Sequence, residues 1–133
     1  MDLSFAVMLV ANRFQYRKDS NLLFDSWSVM RDKNGVFYGD CEDFTLTVFW
    51  YMSNRNILVF LFNLFFFRYK LIWSITNKGE FHIYGKYGDL CFDNWTKRTL
   101  PEDVFLRETG HRRIMVFPMI FGIIQLILGL FKR

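Results

Sequence analysis

Eighteen consecutive residues, Ile114 to Phe131, carry no charge, and Arg112, Arg113, Lys132 and Arg133 flank them. Such a run has to be buried, either in protein or in lipid. As a helix it would be roughly 27 Å long, just short of a ~30 Å hydrocarbon core, so it can span only with little tilt. Pro118 falls in the first turns, where proline is tolerated, and Gly122 and Gly129 offer small faces for packing against another helix. The expectation is a membrane helix over 114–131, with a buried or interfacial helix as the alternative. Basic residues at both ends leave its orientation open under the positive-inside rule. The chain thus divides into a domain over 1–110 and an apolar tail over 111–133.

The N-terminus lacks the shape of a signal peptide: it begins Met1-Asp2, its apolar run is short, and no small-residue cleavage site follows. A membrane-associated protein with its domain on the cytoplasmic side is the simpler expectation. Aromatic residues make up 20% of the chain, with 17 Phe, which excludes disorder and points to a dense core or to lipid contact. The net charge is +4, but the Lys and Arg residues are scattered, with no basic stripe interleaved with aromatics, so no nucleic-acid partner is expected. The two cysteines, Cys41 and Cys91, are too few for a disulfide framework; one bridge between them is allowed and not required.

Along the chain, residues 3–10 are apolar and fit a helix or a strand. Asn34-Gly35 is a turn signal, and Asp40 can cap a helix that continues through Phe44, Leu46, Val48 and Phe49. Asn54-Arg55-Asn56 interrupts. Ile57 to Phe67 is a second apolar run, too short to span a bilayer, and is expected to be a core helix rather than a membrane-surface one. Alternation over Arg68–Thr76 predicts a strand, followed by strands at Glu80–Gly85 and Leu90–Thr96 and a helix starting near Pro101.

A two-residue loop at Tyr87-Gly88 would pair Lys86 with Asp89, Tyr84 with Cys91 and His82 with Asp93. His82 and Asp93 then share a face, close enough to hydrogen-bond. The other face would carry Phe81, Ile83, Leu90 and Phe92 toward the core, leaving the polar pair solvated. The pair is either a catalytic imidazole with its orienting acid or an unreactive cross-strand contact.

Cys41 sits at the expected helix N-terminus, where the helix dipole favours thiolate. Asp40, Glu42 and Asp43 oppose it. An imidazolium at His82, or a cation on the carboxylates, would reconcile the two; hard carboxylate oxygens suit Ca²⁺. Asp43 fits simple first-turn stabilisation, whereas Asp40 and Glu42 are open between capping and metal binding. Cys91 is expected to be packing, and His111 a basic residue at a membrane edge.

Gly39-Asp40-Cys41-Glu42-Asp43-Phe44-Thr45-Leu46 resembles the nucleophile motif of the bacterial transglutaminase-like cysteine peptidases. Leu90-Cys91-Phe92-Asp93-Asn94 resembles that family's Asp-Asn strand, and Ala11-Asn12-Arg13-Phe14, Asp19 and Trp27 resemble the run before its nucleophile. The chain keeps the family order Cys, His, Asp. The likeness covers roughly residues 10 to 100. It implies an α+β fold with a nucleophile helix packed on a small antiparallel sheet, the C-terminal apolar helix being an addition. It also implies a cysteine peptidase or amidase with Cys41 as nucleophile, His82 as base and Asp93 as orienter, acting through a thioester on a protein or peptide substrate. No cofactor is required. In the calcium-dependent branch the acids flanking the nucleophile, by position Asp40 and Glu42, bind Ca²⁺. The chain departs from the family in its short length, its Ile57–Phe67 run and its tail, and no oxyanion donor is identifiable beyond the Cys41 backbone N–H. So compact a variant suits a phage- or mobile-element-encoded protein. The alternatives are a transglutaminase-type acyl transferase and an inert, membrane-anchored interaction protein on the same scaffold.

Overall fold

Asp2 caps the first helix, α1 (Leu3–Ala11), by accepting a hydrogen bond from the Phe5 backbone N–H at 2.8 Å. Leu3, Ala6, Val7 and Val10 recur at helical spacing and are buried. In this computed structural model, which describes residues 2–16, 29–30 and 32–116, a small sheet follows from β1 (Phe14–Tyr16), β2 (Asp32–Lys33) and β3 (Val36–Gly39). Strand β3 is central, parallel to β1 and antiparallel to β2. Asn34 and Gly35 form the β2–β3 loop with φ of 55° and 83°, as the Asn-Gly signal predicts.

Helix α2 (Cys41–Met52) starts where the sequence predicts, with the Asp40 side chain accepting from the Asp43 backbone N–H at 3.4 Å. Asn54 and Arg55 take positive φ and break the chain before α3 (Ile57–Phe65), which Asn56 caps. The expectation of a core helix over Ile57–Phe67 needs correction. The helix forms, but Phe60 and Leu64 are its buried residues, while Ile57, Leu58, Val59, Phe62, Phe65, Phe66 and Phe67 are exposed. The i, i+4 stripe of Phe60 and Leu64, with half-buried Leu61 beside it, faces the core, and Phe60 stands edge-on to Trp50 of α2 at 5.4 Å between centroids. Among the described residues no further layer covers the rest.

A second sheet comprises β4 (Lys70–Ile75), β5 (Phe81–Tyr87), β6 (Leu90–Phe92), β7 (Leu100–Pro101) and β8 (Arg112–Val116), with α4 (Glu102–Thr109) between the last two. Its order is β7-β6-β5-β4-β8, every neighbouring pair antiparallel. The fold is α+β. Ile114, Met115 and Val116, expected to begin a membrane helix, instead lie in the edge strand β8 paired with β4. The backbone groups along the open edge of β4 supply a hydrogen-bonding partner that hydropathy alone does not reveal. The remainder of 114–131 lies outside the described residues. No helix among the described residues is long and apolar enough to cross a membrane.

Helices cover both faces of this sheet. On one face, Phe44 and Phe49 of α2 meet Phe92, and Tyr69, Leu71 and Ile83 belong to the same buried core. Phe49 stacks on Tyr69 at 4.4 Å between centroids and stands edge-on to Phe92 at 5.4 Å. On the other, Phe105 of α4 packs with Ile72, Tyr84 and Cys91. Glu102 ties α4 down by accepting from Tyr84 Oη (3.0 Å), Lys86 Nζ (3.1 Å) and Arg113 Nη1 (3.1 Å). This second layer overturns the expected solvated face: His82 and Asp93 are buried, and Phe81 is the exposed residue. Cys91 is packing, as expected, and both cysteines are free thiols.

The β5–β6 register also differs from the expected one. Tyr87 pairs with Leu90 and Gly85 with Phe92, so the loop is Gly88-Asp89. A type II′ loop wants glycine at its first central position, and Gly88 has φ 59°. The Tyr87-Gly88 loop would have forced that conformation on a tyrosine. The shift keeps the facing parity, so His82 and Asp93 become diagonal rather than direct neighbours.

Gly85 sets how closely α2 approaches β5. A Cβ there would collide with the Phe92 ring and lie 2.8 Å from Thr45 Cγ2. Gly85→Ala is expected to lower stability by about 1–3 kcal/mol, the range for overpacking, measured by urea unfolding; an unchanged midpoint would contradict this packing.

Candidate active site

Strand β6 ends at Phe92, and Asp93 opens a tight turn. Its Oδ1 accepts from the Trp95 N–H (3.1 Å), the Thr96 N–H (2.7 Å) and Thr96 Oγ1 (2.8 Å), the local pattern that aspartate favours in turns. That leaves Oδ2 for His82, whose Nε2–H donates to it at 2.9 Å. Burial by itself would raise the Asp93 carboxyl. The His82 hydrogen bond and charge, with the Thr96 donors, outweigh burial and hold it below its ordinary value. The expected His82–Asp93 contact is therefore present, buried rather than solvated.

Trp95, just over half exposed, lies flat on the His82 ring at 4.2 Å between centroids and forms the outer wall of the site. His111 stands edge-on to His82 at 5.0 Å. It was expected at a membrane edge, yet it is buried, and burial followed by the His82 charge lowers its pKa. The readable signal was Gly110, which ends α4 in the left-handed conformation (φ 72°) and turns the chain back across the sheet.

Cys41 occupies the first turn of α2, on the opposite side of β5 from α4. Its sulfur lies against the backbone N–H of Ile83, one residue from His82. Since Thr45 packs over Gly85 one turn later, α2 runs alongside β5 in the same direction. Strand β6 pairs with β5 only from Gly85 onward, so β5 is not covered by β6 at Ile83. Among the described residues no hydrogen bond joins Cys41 to His82. The thiol instead donates to Glu42 Oε2 at 3.2 Å.

Burial pushes the Cys41 thiol well above its ordinary pKa, and the charges of Glu42 and Asp40 push the same way; only the Ile83 N–H opposes them. The helix N-terminus therefore does not yield the resting thiolate that the dipole alone would favour. Asp40, Glu42 and Asp43 are all buried and offer carboxylate oxygens within 4.8 Å of one another.

Glu42→Gln removes the nearest charge that favours the protonated thiol. Alkylation of Cys41 by iodoacetamide is therefore expected to begin at lower pH than in the wild type. Peptide mass spectrometry reads this with Cys91, whose thiol burial pushes up to about 12, as the internal reference. An unchanged or upward-shifted profile would contradict the electrostatic assignment. Comparison with protein-family models, with curated proteins and with solved structures found no match for this chain.

Proposed function

We propose that this chain is a compact cysteine hydrolase of the transglutaminase-like type, acting on an amide bond of a protein or peptide. The observation that carries the proposal is the buried His82–Asp93 hydrogen bond on the strand whose next amide, Ile83 N–H, meets the Cys41 sulfur. Asp93 is fixed by three donors and orients the imidazole. With Nε2 committed to Asp93, Nδ1 is the nitrogen left for proton exchange. Because the imidazole is buried on the α4 face of β5 and the thiol on the α2 face, that exchange requires one of them to swing past the edge of β5 that β6 leaves at Ile83.

The steps follow from that assignment. The Cys41 sulfur forms a bond to the amide carbon as its proton passes to His82 Nδ1. The C–N bond then breaks, and the amine leaves with that proton. Water attacks the thioester, His82 accepts its proton, and the regenerated thiol takes it back. An amine in place of water would make the same site an acyl transferase.

The resting thiol is protonated and held by Glu42, so the cycle requires its release. A cation on Asp40, Glu42 and Asp43 would offset the charges that keep it protonated, and an all-oxygen donor set suits Ca²⁺. Backbone or water oxygens would have to complete its six to eight ligands.

The inert alternative is favoured by one observation: the apolar surface of α3 is exposed and flanked by exposed Arg55 and Arg68, an arrangement that suits an anionic lipid surface. Acylation by p-nitrophenyl acetate separates the two. The hydrolase predicts an acyl adduct on Cys41 that forms about 10²–10⁴-fold more slowly in His82→Ala, and faster in excess Ca²⁺ than in chelator. Equal rates in wild type and His82→Ala, with co-sedimentation on anionic vesicles lost in Phe62→Asp, would establish the inert membrane-apposed protein instead.

A further inference from the structure

The chain has two histidines, and the fold brings both to one carboxylate. His82 comes from β5, Asp93 from the turn after β6, and His111 from the link between α4 and β8. One ligand atom from each lies within 4.8 Å of the others, and all three side chains are buried. His111 is 6% exposed, and its Nδ1 is buried with no hydrogen-bond partner. A buried ring nitrogen left in that state calls for an explanation. A polar partner that accepts its lone pair would supply one.

We propose that His82, Asp93 and His111 form a binding site for a divalent d-block cation of the zinc class. Two imidazoles and one carboxylate are the donors such ions prefer, whereas Ca²⁺ and Mg²⁺ prefer oxygen alone. Bonds of about 2.0–2.1 Å place tetrahedral ligands roughly 3.3 Å apart. The 2.9 Å between His82 Nε2 and Asp93 Oδ2 and the 4.8 Å limit on the trio bracket that spacing, and the proton on His82 Nε2 moves to Nδ1 or to solvent as the metal takes the Nε2 lone pair. Three protein ligands leave a fourth position for water or another small ligand. Asp93 Oδ1 keeps its three donors, which hold the carboxylate in place while Oδ2 turns to the metal. Trp95 stacks over His82 at the surface, so the ion enters by displacing one half-exposed ring.

The site does not depend on Cys41 being a nucleophile. If Cys41 is one, metal occupancy takes His82 and Asp93 out of their roles toward it, and the site becomes an off-switch.

The test is titration of the full, untagged chain with Co²⁺ and then Zn²⁺. The expected result is one equivalent of Co²⁺ giving the ligand-field absorption of a four-coordinate site, displaced by one equivalent of Zn²⁺. His111→Gln and His82→Gln should each weaken binding at least about 100-fold, since losing even an outer partner costs 10–100-fold. Cys41→Ser and Glu42→Gln should bind as the wild type does, which separates this site from the thiol and from the acidic cluster. Wild-type ¹⁵N spectra provide a readout that needs no variant to fold: ring nitrogens of both histidines must shift together on one equivalent of Zn²⁺. Absence of Zn²⁺ binding at about millimolar concentration, unperturbed His111 nitrogens, or loss of binding in Cys41→Ser would overturn the proposal.

Discussion

Burying an imidazole and a carboxylate together is tolerable only when the hydrogen-bonding capacity of both is met. In this fold the burden falls on the turn that Asp93 opens, where three donors hold one carboxylate oxygen and His82 takes the other. The surrounding arrangement serves that pair. Pairing of β6 with β5 ends at Phe92, Asp93 opens the turn that follows, and Trp95 in that turn lies back over the imidazole. Helix α4 seals the same face through Phe105 and is fastened by Glu102 to β5 and β8.

The opposite face is governed by a close approach. Gly85 lets Thr45 and Phe92 meet the strand without an intervening methyl, and this draws α2 down until its first residue reaches the Ile83 amide. The thiol and the imidazole thus sit at neighbouring residues of one strand but in contrasting environments. The imidazole is satisfied by its acid, while the thiol is desolvated, surrounded by carboxylates and bonded to Glu42. The thiol is therefore held protonated at rest, and neutralising Glu42 would weaken that hold.

Much of this was legible in the residues. The Asp40 cap, the Asn34-Gly35 loop and the alternation over Arg68–Thr76 follow from local chemistry; the cap and loop form where that chemistry places them, and a strand forms within the alternating segment, at Lys70–Ile75. The pairing of His82 with Asp93 was legible because the facing parity survives a shift of the loop by one residue. Three things depended on tertiary layers instead. Burial of the pair came from α4, and a strand pattern cannot reveal a helix on its far side. The exposure of α3 came from the absence, among the described residues, of anything to cover it. The place of His111 followed from Gly110 turning the chain back so that residues 112–116 pair with β4, which puts a histidine from one end of the domain beside one from its middle.

His82 donates through Nε2 to Asp93 inside the protein, which leaves Nδ1 outside that bond. Long-range ¹H–¹⁵N correlation of the two histidine rings in the metal-free wild type tests it directly. His82 is expected to carry its proton on Nε2, shifted far downfield and slow to exchange, and this signal is expected to be lost in Asp93→Ala. A His82 ring protonated on Nδ1 alone, or an Nε2 proton exchanging as fast as a solvated one, would contradict it.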